Sequence, residues 1–191
     1  MKESLLELFQ KEGVLLSGHF ELSSGRHGDQ YLQCALILQH PAWAEELCQM
    51  LAGRFRQKID VVIGPALGGI IVSHEVARSL RVRGIFAERE NGTLTLRRQF
   101  QIRKGEQVLV VEDVMTTGKS TQEVVDLVRQ HGGVVVGIGA LVDRSGGEAR
   151  FNVPLEVLLR LDLKTFDPED CPLCKKGIPS VKPGSRAISS P

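Results

Sequence analysis

Two hydrophobic patterns alternate along the central part of the chain. Short apolar runs, typical of strands buried on both faces, occupy residues 60–63, 84–87, 108–111, 134–142 and 155–161. Apolar positions at helical spacing occupy residues 41–56, 69–80 and 122–131. In the first of these helices the expected buried stripe consists of Trp43, Leu47, Met50, Leu51 and Phe55. This alternation predicts a doubly wound α/β fold with a largely parallel five-stranded sheet flanked by helices.

The remaining segments complete a single-domain organisation. Residues 93–96 and 98–102 alternate apolar and polar positions, which predicts a small antiparallel flap. Residues 1–40 precede a core of residues 41–162, and residues 163–191 form a tail. The tail from residue 178 onward is rich in Pro, Ser and Gly, so we expect it to be loosely ordered.

Charge and hydropathy exclude several classes of partner. The 191 residues include 24 basic and 23 acidic side chains, so a net charge of +1 creates no overall field that attracts nucleic acid. A nucleic-acid-binding role would need a local basic face, and the dense cluster of basic residues that could form one lies within residues 97–104. Residues 1–9 are charged and lack the apolar core of a signal peptide, and the run 134–142 is too short to span a bilayer as a helix. We therefore expect a cytoplasmic protein without nucleic-acid or membrane partners.

The junction after the strand at 108–111 combines several groups that suit a sugar phosphate. Glu112 and Asp113 follow the apolar run, and a turn rich in hydroxyls and glycine, 116–121, leads into the next helix. Ionised carboxylates only accept hydrogen bonds, so an adjacent pair suits the two donors of a vicinal diol such as the ribose 2′- and 3′-hydroxyls. Unpaired N–H groups and the dipole at the start of a helix favour a phosphate.

Each part of this junction also has a simpler interpretation. The acid pair alone would fit a solvated strand end, and Thr116, Thr117 and Gly118 alone would fit an ordinary helix cap. Their combination within one strand-to-helix turn favours a phosphate site instead. A Walker A loop is excluded because it would require a second glycine at Asp113.

A second loop and a charged pair follow other strands of the predicted sheet. The loop 64–69 carries glycines at both ends and again leads from a strand into a helix, which suits pyrophosphate, although Gly-Gly before a helix is often structural. Asp143 and Arg144 follow the strand 134–142 and should therefore lie at the same sheet edge. Arg144 offers a planar fork of donors to a flat acid, but the pair would also fit a surface ion pair of little energetic value.

Segments 18–26, 64–69, 108–121 and 142–144 together resemble the type I phosphoribosyltransferases. They are similar in particular to the orotate-using branch of that family, in a short-hooded bacterial form. The resemblance implies the type I phosphoribosyltransferase fold with an amino-terminal hood segment over the base. It also implies transfer of the 5-phosphoribosyl group from phosphoribosyl pyrophosphate to orotate, yielding orotidine 5′-phosphate and pyrophosphate in pyrimidine biosynthesis. Mg²⁺ chelated by substrate oxygens rather than by protein side chains, and a homodimer, are further implications.

The resemblance also assigns roles to individual residues. Catalytic roles fall to Glu112, Asp113 and Arg89. Donor binding falls to Glu112, Asp113, Val114, Met115, Thr116, Thr117, Gly118, Lys119, Ser120, Ala66, Leu67, Gly68 and Gly69. Orotate binding falls to Thr116, Arg144, Phe20, Ser24 and Gly25. The alternatives are a purine or xanthine phosphoribosyltransferase, and a non-catalytic ligand-sensing regulator on the same fold, which would need a nucleic-acid surface or an added domain.

The chain departs from the family pattern at two places. Ser23 stands where many relatives carry a lysine. The mobile hood, a basic loop that in longer members reaches into the neighbouring subunit, is reduced here to residues 88–92, in which Arg89 alone aligns as a basic group. We hypothesise that Arg97 and Arg98 replace the basic side chains that the shortened hood lacks.

The four cysteines are expected to be reduced thiols. Cys34 and Cys48 fall on apolar stripes and should belong to the core. Cys171 and Cys174 have the spacing of half a zinc site, but no second Cys or His pair lies nearby in the sequence. A compact turn with buried thiols is the preferred interpretation, and closure of a metal site across a dimer axis is the alternative.

Overall fold

The structure, a computed structural model, describes residues 4–22 and 24–182. The helices are α1 (Leu5–Lys11), α2 (Ala35–Leu38), α3 (Pro41–Ala52), α4 (Gly68–Leu80), α5 (Lys119–Gln130) and α6 (Pro172–Lys175). The strands are β1 (Leu15–Glu21), β2 (His27–Leu32), β3 (Val61–Pro65), β4 (Arg83–Glu90), β5 (Thr93–Leu96), β6 (Gln107–Met115), β7 (Val134–Asp143), β8 (Leu155–Arg160) and β9 (Thr165–Phe166). Within the described ranges, none of the helices combines the length and the apolarity that a membrane span needs.

The chain forms two compact units. Unit 1 consists of Met1–Gln33 and Asp162–Pro191, and unit 2 consists of Cys34–Leu161. Unit 1 contains α1, α6 and a three-stranded antiparallel sheet in the order β1-β2-β9. The single-domain organisation expected from the sequence stays a prediction.

Unit 2 is built on a six-stranded sheet in the order β5-β4-β3-β6-β7-β8. Strands β4, β3, β6, β7 and β8 are mutually parallel, which is the predicted five-stranded parallel arrangement. Strand β5 pairs with β4 in antiparallel register. Asn91 (φ 50°) and Gly92 (φ 86°) form the two-residue turn between them, as expected for a tight hairpin that requires positive φ at both central positions.

Helices cover both faces of this sheet. Successive strand residues point to opposite faces, so Val61 and Ile63 face α5, whereas Val62 faces the other side. Glycines on that other side admit the remaining helices at close range: Leu51 of α3 lies over Gly139, and Ala77 of α4 lies over Gly84. The α5 side holds a continuous core, which includes Ile85, Val108, Val110, Val124, Val128 and Ile138. Together these contacts establish a doubly wound α/β unit.

Several details differ from the sequence prediction. Helix α3 ends at Ala52 rather than at residue 56, and Met50 is 42% exposed rather than buried. Strand β6 continues through the acid pair to Met115 because its pairing with β7 extends that far. Residues 98–102 are not a strand: positive φ angles at Arg98 and Gln99 break the extended backbone.

The alternation in residues 98–102 has another origin. Phe100 packs edge-on against Phe86 with ring centroids 5.1 Å apart, and Ile102 is buried in the α5-side core. The apolar side chains therefore point inward from an irregular connection without a partner strand. The predicted flap is consequently reduced to the β4–β5 hairpin.

Part of the predicted tail is structured. Val181 pairs with β1 through hydrogen bonds from its N–H to the His19 carbonyl (2.8 Å) and from the Glu21 N–H to its own carbonyl (2.8 Å). Residues 183–191, the remainder of the segment expected to be loosely ordered, lie outside the described residues.

Candidate active site

The topology of unit 2 has its switch point between β3 and β6. The connection after β3 runs through α4 to β4 on one side, and the connection after β6 runs through α5 to β7 on the other. In doubly wound sheets, the carboxyl ends of two adjacent strands whose connections diverge in this way define the ligand site. The loops predicted to bind phosphate and pyrophosphate lie at these two strand ends.

The acid pair lies in the last part of β6. Glu112 is 7% exposed, and Asp113 is half-buried. Burial raises the pKa of Glu112 well above its ordinary value of 4.5, and the neighbouring charge and hydrogen-bonding side chain of Asp113 raise it further. The raised pKa favours the neutral form of Glu112, whose hydroxyl can donate a hydrogen bond to Asp113.

The carboxylate of Asp113 lies directly against the backbone of the second loop. A Cβ atom added to Gly68 would lie 2.3 Å from Asp113 Oδ2 and 2.5 Å from Oδ1. Any larger residue at position 68 would therefore displace this carboxylate. The structure thus brings together two of the loops that the sequence predicted to hold one ligand.

The turn that follows β6 presents its polar groups outward. Thr116, Thr117 and Lys119 are exposed, and the Lys119 N–H donates to Thr117 Oγ1 at 3.3 Å. Gly118 has φ 76°, and an added Cβ would lie 3.0 Å from the Cβ of Ala149. Glycine is thus required here by both the backbone angle and the close approach. Helix α5 begins immediately afterwards, so its first N–H groups face the turn.

The loop between β3 and α4 is held close to the sheet. The Ala66 N–H donates to the carbonyl of Ala87 in β4 at 2.8 Å, and the peptide between Ala66 and Leu67 is cis. Leu67 is 84% exposed. A Cβ on Gly64 would lie 2.5 Å from the Gly69 carbonyl oxygen, so the loop closes on itself tightly.

The pair predicted at the end of β7 divides its roles. Asp143 is 4% exposed, accepts a hydrogen bond from the Ser145 N–H at 2.8 Å, and lies 3.7 Å from Nε of Arg160. Arg144 is half-buried, and its N–H donates to the Met115 carbonyl at 2.9 Å. Asp143 therefore organises its own loop, while Arg144 is tied by its backbone to the end of the acid-bearing strand.

The basic residues of the β4–β5 hairpin and its flank pair with acidic side chains of the same chain. Arg89 lies 2.9 Å from Glu123 Oε2 on α5 and also donates to the Gly92 carbonyl. Arg98 makes a two-pronged contact with Glu88 at 2.8 and 2.9 Å. Arg97 lies 3.6 Å from Glu90. The hairpin is therefore an ion-paired element in this state of the protein.

The residues expected to cover the base lie in unit 1. Phe20 on β1 is buried and packs against Tyr31, with ring centroids 5.6 Å apart. Ser24 and Gly25 form the turn between β1 and β2, where the Gly25 N–H donates to the Leu22 carbonyl at 2.9 Å. Ser23 lies outside the described residues.

The structure confirms that Cys34 and Cys48 are buried, and burial raises the pKa of Cys48 to about 12. The prediction for the other pair was partly wrong, because Cys171 is buried whereas Cys174 is exposed. The two cysteines are also not half of a site in the folded chain, because the side chains of His19 and His27 lie beside both sulfurs. Two histidines flanking the turn of one hairpin were the overlooked signal.

The fold and the crevice define a class of protein. A family model described as "Phosphoribosyl transferase domain" matches residues 34–159. An orotate phosphoribosyltransferase from Aeropyrum pernix has a TM-score of 0.70 and 30% identity, covering 82% of this chain and 93% of that one. The orotate phosphoribosyltransferase of Mycobacterium tuberculosis H37Rv, in complex with inorganic phosphate, has a TM-score of 0.64 and 28% identity, covering 81% of this chain and 92% of that one.

Sequence relatives of nearly equal length narrow the class. The orotate phosphoribosyltransferase of Pelotomaculum thermopropionicum is 60% identical over 188 residues, covering 98% of this chain and 99% of the relative. That of Thermotoga petrophila is 51% identical over 183 residues, covering 95% of this chain and 98% of the relative. The chain therefore belongs to the orotate phosphoribosyltransferase family.

Proposed function

We propose that this protein transfers the 5-phosphoribosyl group of phosphoribosyl pyrophosphate to N1 of orotate, giving orotidine 5′-phosphate and pyrophosphate for pyrimidine biosynthesis. The observation that carries this proposal is the contact between Asp113 and Gly68. It joins a carboxylate suited to ribose hydroxyls to a loop suited to pyrophosphate. One molecule of phosphoribosyl pyrophosphate carries both the ribose hydroxyls and the pyrophosphate.

The donor is proposed to bind along the crevice between β3 and β6. Its 5′-phosphate fits the turn 116–120, where exposed threonine hydroxyls and the first N–H groups of α5 offer hydrogen bonds. Its ribose hydroxyls fit the carboxylates of Glu112 and Asp113. Ala66, Leu67, Gly68 and Gly69 are proposed to bind the pyrophosphate. The sugar hydroxyls would donate hydrogen bonds to these carboxyl oxygens.

The acceptor is proposed to bind through Arg144 and Thr116. A guanidinium matches the carboxylate and carbonyl oxygens of a flat pyrimidine acid in a two-pronged contact. Phe20, Ser24 and Gly25 are proposed to cover the base. The purine and xanthine alternatives lack a carboxylate for Arg144 to recognise.

The reaction requires positioning more than acid–base chemistry. The bond from C1′ to the pyrophosphate oxygen breaks, its electron pair leaves with pyrophosphate, and the lone pair of deprotonated N1 forms the new bond to C1′. Positive charge develops on the ribose ring during departure, and the acid pair beneath it stabilises that charge. Holding donor and acceptor in line and excluding water supply the remainder of the rate. Arg89 is proposed to neutralise the departing pyrophosphate.

Mg²⁺ is the proposed cofactor. Glu112 and Asp113 bring carboxyl groups to the strand end where the donor is proposed to bind, which suits a cation carried by the donor. When bound with the donor, Mg²⁺ neutralises pyrophosphate oxygens. In this proposal the substrate's own oxygens chelate the ion, as the family resemblance implies.

The test is a substrate comparison with purified protein. Phosphoribosyl pyrophosphate and Mg²⁺ are mixed with orotate, uracil, hypoxanthine or xanthine, and nucleotide formation is followed by chromatography. We expect product with orotate alone. Product with uracil or a purine while orotate is untouched would overturn the proposal, and no turnover of any base would favour the regulator alternative.

A homodimer in the cytoplasm is the proposed state of the enzyme. The resemblance to family members whose mobile hood reaches into a neighbouring subunit supports the dimer. Sedimentation equilibrium at several concentrations tests it directly.

A further inference from the structure

Four potential metal ligands converge inside unit 1. His19 lies on β1 and His27 begins β2. Cys171 immediately precedes α6, and Cys174 lies within it. Their ligand atoms all lie within 4.8 Å of one another. His19 Nε2 lies 2.8 Å from His27 Nδ1, 3.5 Å from Cys171 Sγ and 3.7 Å from Cys174 Sγ, and Cys174 Sγ lies 3.2 Å from His27 Nδ1.

These separations match the dimensions of a tetrahedral zinc site. Zn–N bonds of about 2.0–2.1 Å and Zn–S bonds of about 2.3 Å require ligand separations of about 3.3 Å between nitrogens and about 3.6 Å between nitrogen and sulfur. The three observed S···N distances of 3.2, 3.5 and 3.7 Å lie close to that value. The two nitrogens, 2.8 Å apart, need to separate by only about 0.5 Å.

The surroundings of the cluster orient its ligands. His19 Nδ1 lies 2.6 Å from the carbonyl oxygen of Ile178, so it carries the proton and leaves the lone pair of Nε2 directed at the other three ligands. The backbone N–H groups of Leu173 and Cys174 lie beside the sulfur of Cys171. Such contacts hold ligands in place around a metal.

We propose that His19, His27, Cys171 and Cys174 form a structural Zn²⁺ site. Four protein ligands fill a tetrahedral shell and leave no open position for substrate, which is the arrangement of structural rather than catalytic zinc. Two thiolates and two imidazoles favour Zn²⁺ over Mg²⁺, which requires oxygen ligands. The alternative is a metal-free pair of hydrogen-bonded histidines beside two thiols.

The position of the site indicates its role. It links the β1–β2 hairpin to the segment around α6. The two ligands nearest in sequence across this link, His27 and Cys171, are more than 140 residues apart. The buried apolar side chains of described unit 1 are few: Leu8, Phe9, Val14, Phe20, Leu22, Leu32 and Cys171. Small cores commonly depend on a metal or disulfide. The zinc site therefore stabilises unit 1 by joining its two chain segments.

The first test measures metal in the untagged wild-type protein. The protein is produced in zinc-replete medium, desalted, and assayed by inductively coupled plasma mass spectrometry. We expect one zinc per chain. The Co²⁺-substituted protein should show the absorption of tetrahedral cobalt with thiolate charge transfer. Folded wild-type protein without zinc, with iron in its place, or with a Cys171–Cys174 disulfide would overturn the assignment.

The second test compares matched cysteine variants. The double variant Cys171→Ser/Cys174→Ser should lose at least tenfold in bound zinc, whereas Cys48→Ala, which removes a buried thiol in unit 2, should retain it. Unchanged zinc in the double variant would overturn the site.

A labelling experiment on wild-type protein covers the case in which the double variant does not fold. Ellman's reagent should modify two thiols promptly after chelation and none before it. Cys34 and Cys48 should stay unreactive, because burial raises the pKa of both thiols. Prompt modification of the exposed Cys174 before chelation would show that no metal protects it and would overturn the proposal.

Discussion

At the scale of single residues, Asp113 is the side chain whose environment is best explained by a ligand. Its carboxylate lies in contact with Gly68 and beside a buried glutamic acid. A carboxylate at the carboxyl end of a strand can accept hydrogen bonds from hydroxyl groups or bind a cation. A purely structural role would predict that its removal changes stability more than activity.

Asp113→Asn should therefore impair catalysis while the fold persists. Loss of a charged acceptor to a sugar hydroxyl costs on the order of 1.5–3 kcal/mol, which corresponds to roughly ten- to hundredfold in kcat/KM. Steady-state kinetics with varied phosphoribosyl pyrophosphate measure this change. Asp126→Asn is the matched control, because Asp126 is exposed on α5 and contacts Gln122. Equal kinetics in the two variants would remove Asp113 from the site.

Glu112 links function to stability through its raised pKa. Burial and the adjacent Asp113 place the folded pKa above the ordinary value of 4.5. Between these two values the folded protein binds more protons than the unfolded chain, so stability falls as pH rises through that window. The charge suited to the ligand is thus unfavourable in the free protein, as in many active sites.

Glu112→Gln should raise the melting temperature of the ligand-free protein and lower its activity. Glutamine keeps a donor for Asp113 and cannot ionise, so its advantage over wild type should be small near pH 4.5 and grow at higher pH. Each kcal/mol corresponds to roughly 2–4 °C for a chain of this size. Thermal unfolding across pH measures the difference, with Glu46→Gln on the exposed side of α3 as control. A pH-independent difference would contradict this account.

At the scale of elements, the site depends on how closely the β3–α4 loop approaches β6. Gly68 begins α4, and its missing side chain leaves the space that the Asp113 carboxylate occupies. Gly64 and Gly69 allow the same loop to fold back on itself. The sequence therefore encodes the contact through glycines rather than through a specific bond.

Gly68→Ala should displace the Asp113 carboxylate and reduce activity by about 100-fold, because misplacement near 1 Å can cost that much in rate. The new Cβ would otherwise lie 2.3 Å from a carboxylate oxygen. Gly53→Ala at the end of α3 is the control, since φ there is −63° and the nearest contact is 3.3 Å. Kinetics and melting temperature are compared for both variants. Wild-type activity in Gly68→Ala would show that the contact is dispensable.

At the scale of the whole molecule, the proposed dimer would allow Arg89 to neutralise pyrophosphate bound by the neighbouring subunit. In the free chain Arg89 pairs with Glu123 at 2.9 Å. The Arg89 side chain is 45% exposed and that of Glu123 is 28% exposed, so solvent screens the pair in part and Arg89 can exchange Glu123 for pyrophosphate. In the proposal this exchange occurs over the neighbouring subunit's donor.

Mixing two defective proteins tests that arrangement. Arg89→Ala and Asp113→Asn proteins are each expected to be weak, but after subunit exchange at equal amounts about one quarter of all sites would combine an intact acid pair with an intact hairpin. Activity should therefore pass through a maximum at intermediate mixing ratio. A straight line between the two residual rates would show that Arg89 acts within its own chain.

The sequence by itself determined the parallel sheet, the two loops at its edge and the burial of Cys34 and Cys48. These follow from local patterns: buried parallel strands read as apolar runs, and glycines and hydroxyls mark their strand-to-helix turns. It also predicted an alternating segment at 98–102 that the structure forms without a strand, because alternation reports burial and not backbone pairing.

Tertiary structure alone decided three features. It set the raised pKa of Glu112, which depends on burial, and the ion pair of Arg89 with Glu123. It also brought His19 and His27 to the cysteine pair near the other end of the chain. Spacing along a sequence shows which ligands are neighbours only within one turn or hairpin. Contacts between distant segments depend on how the chain folds back, and that is fixed by packing of the whole unit.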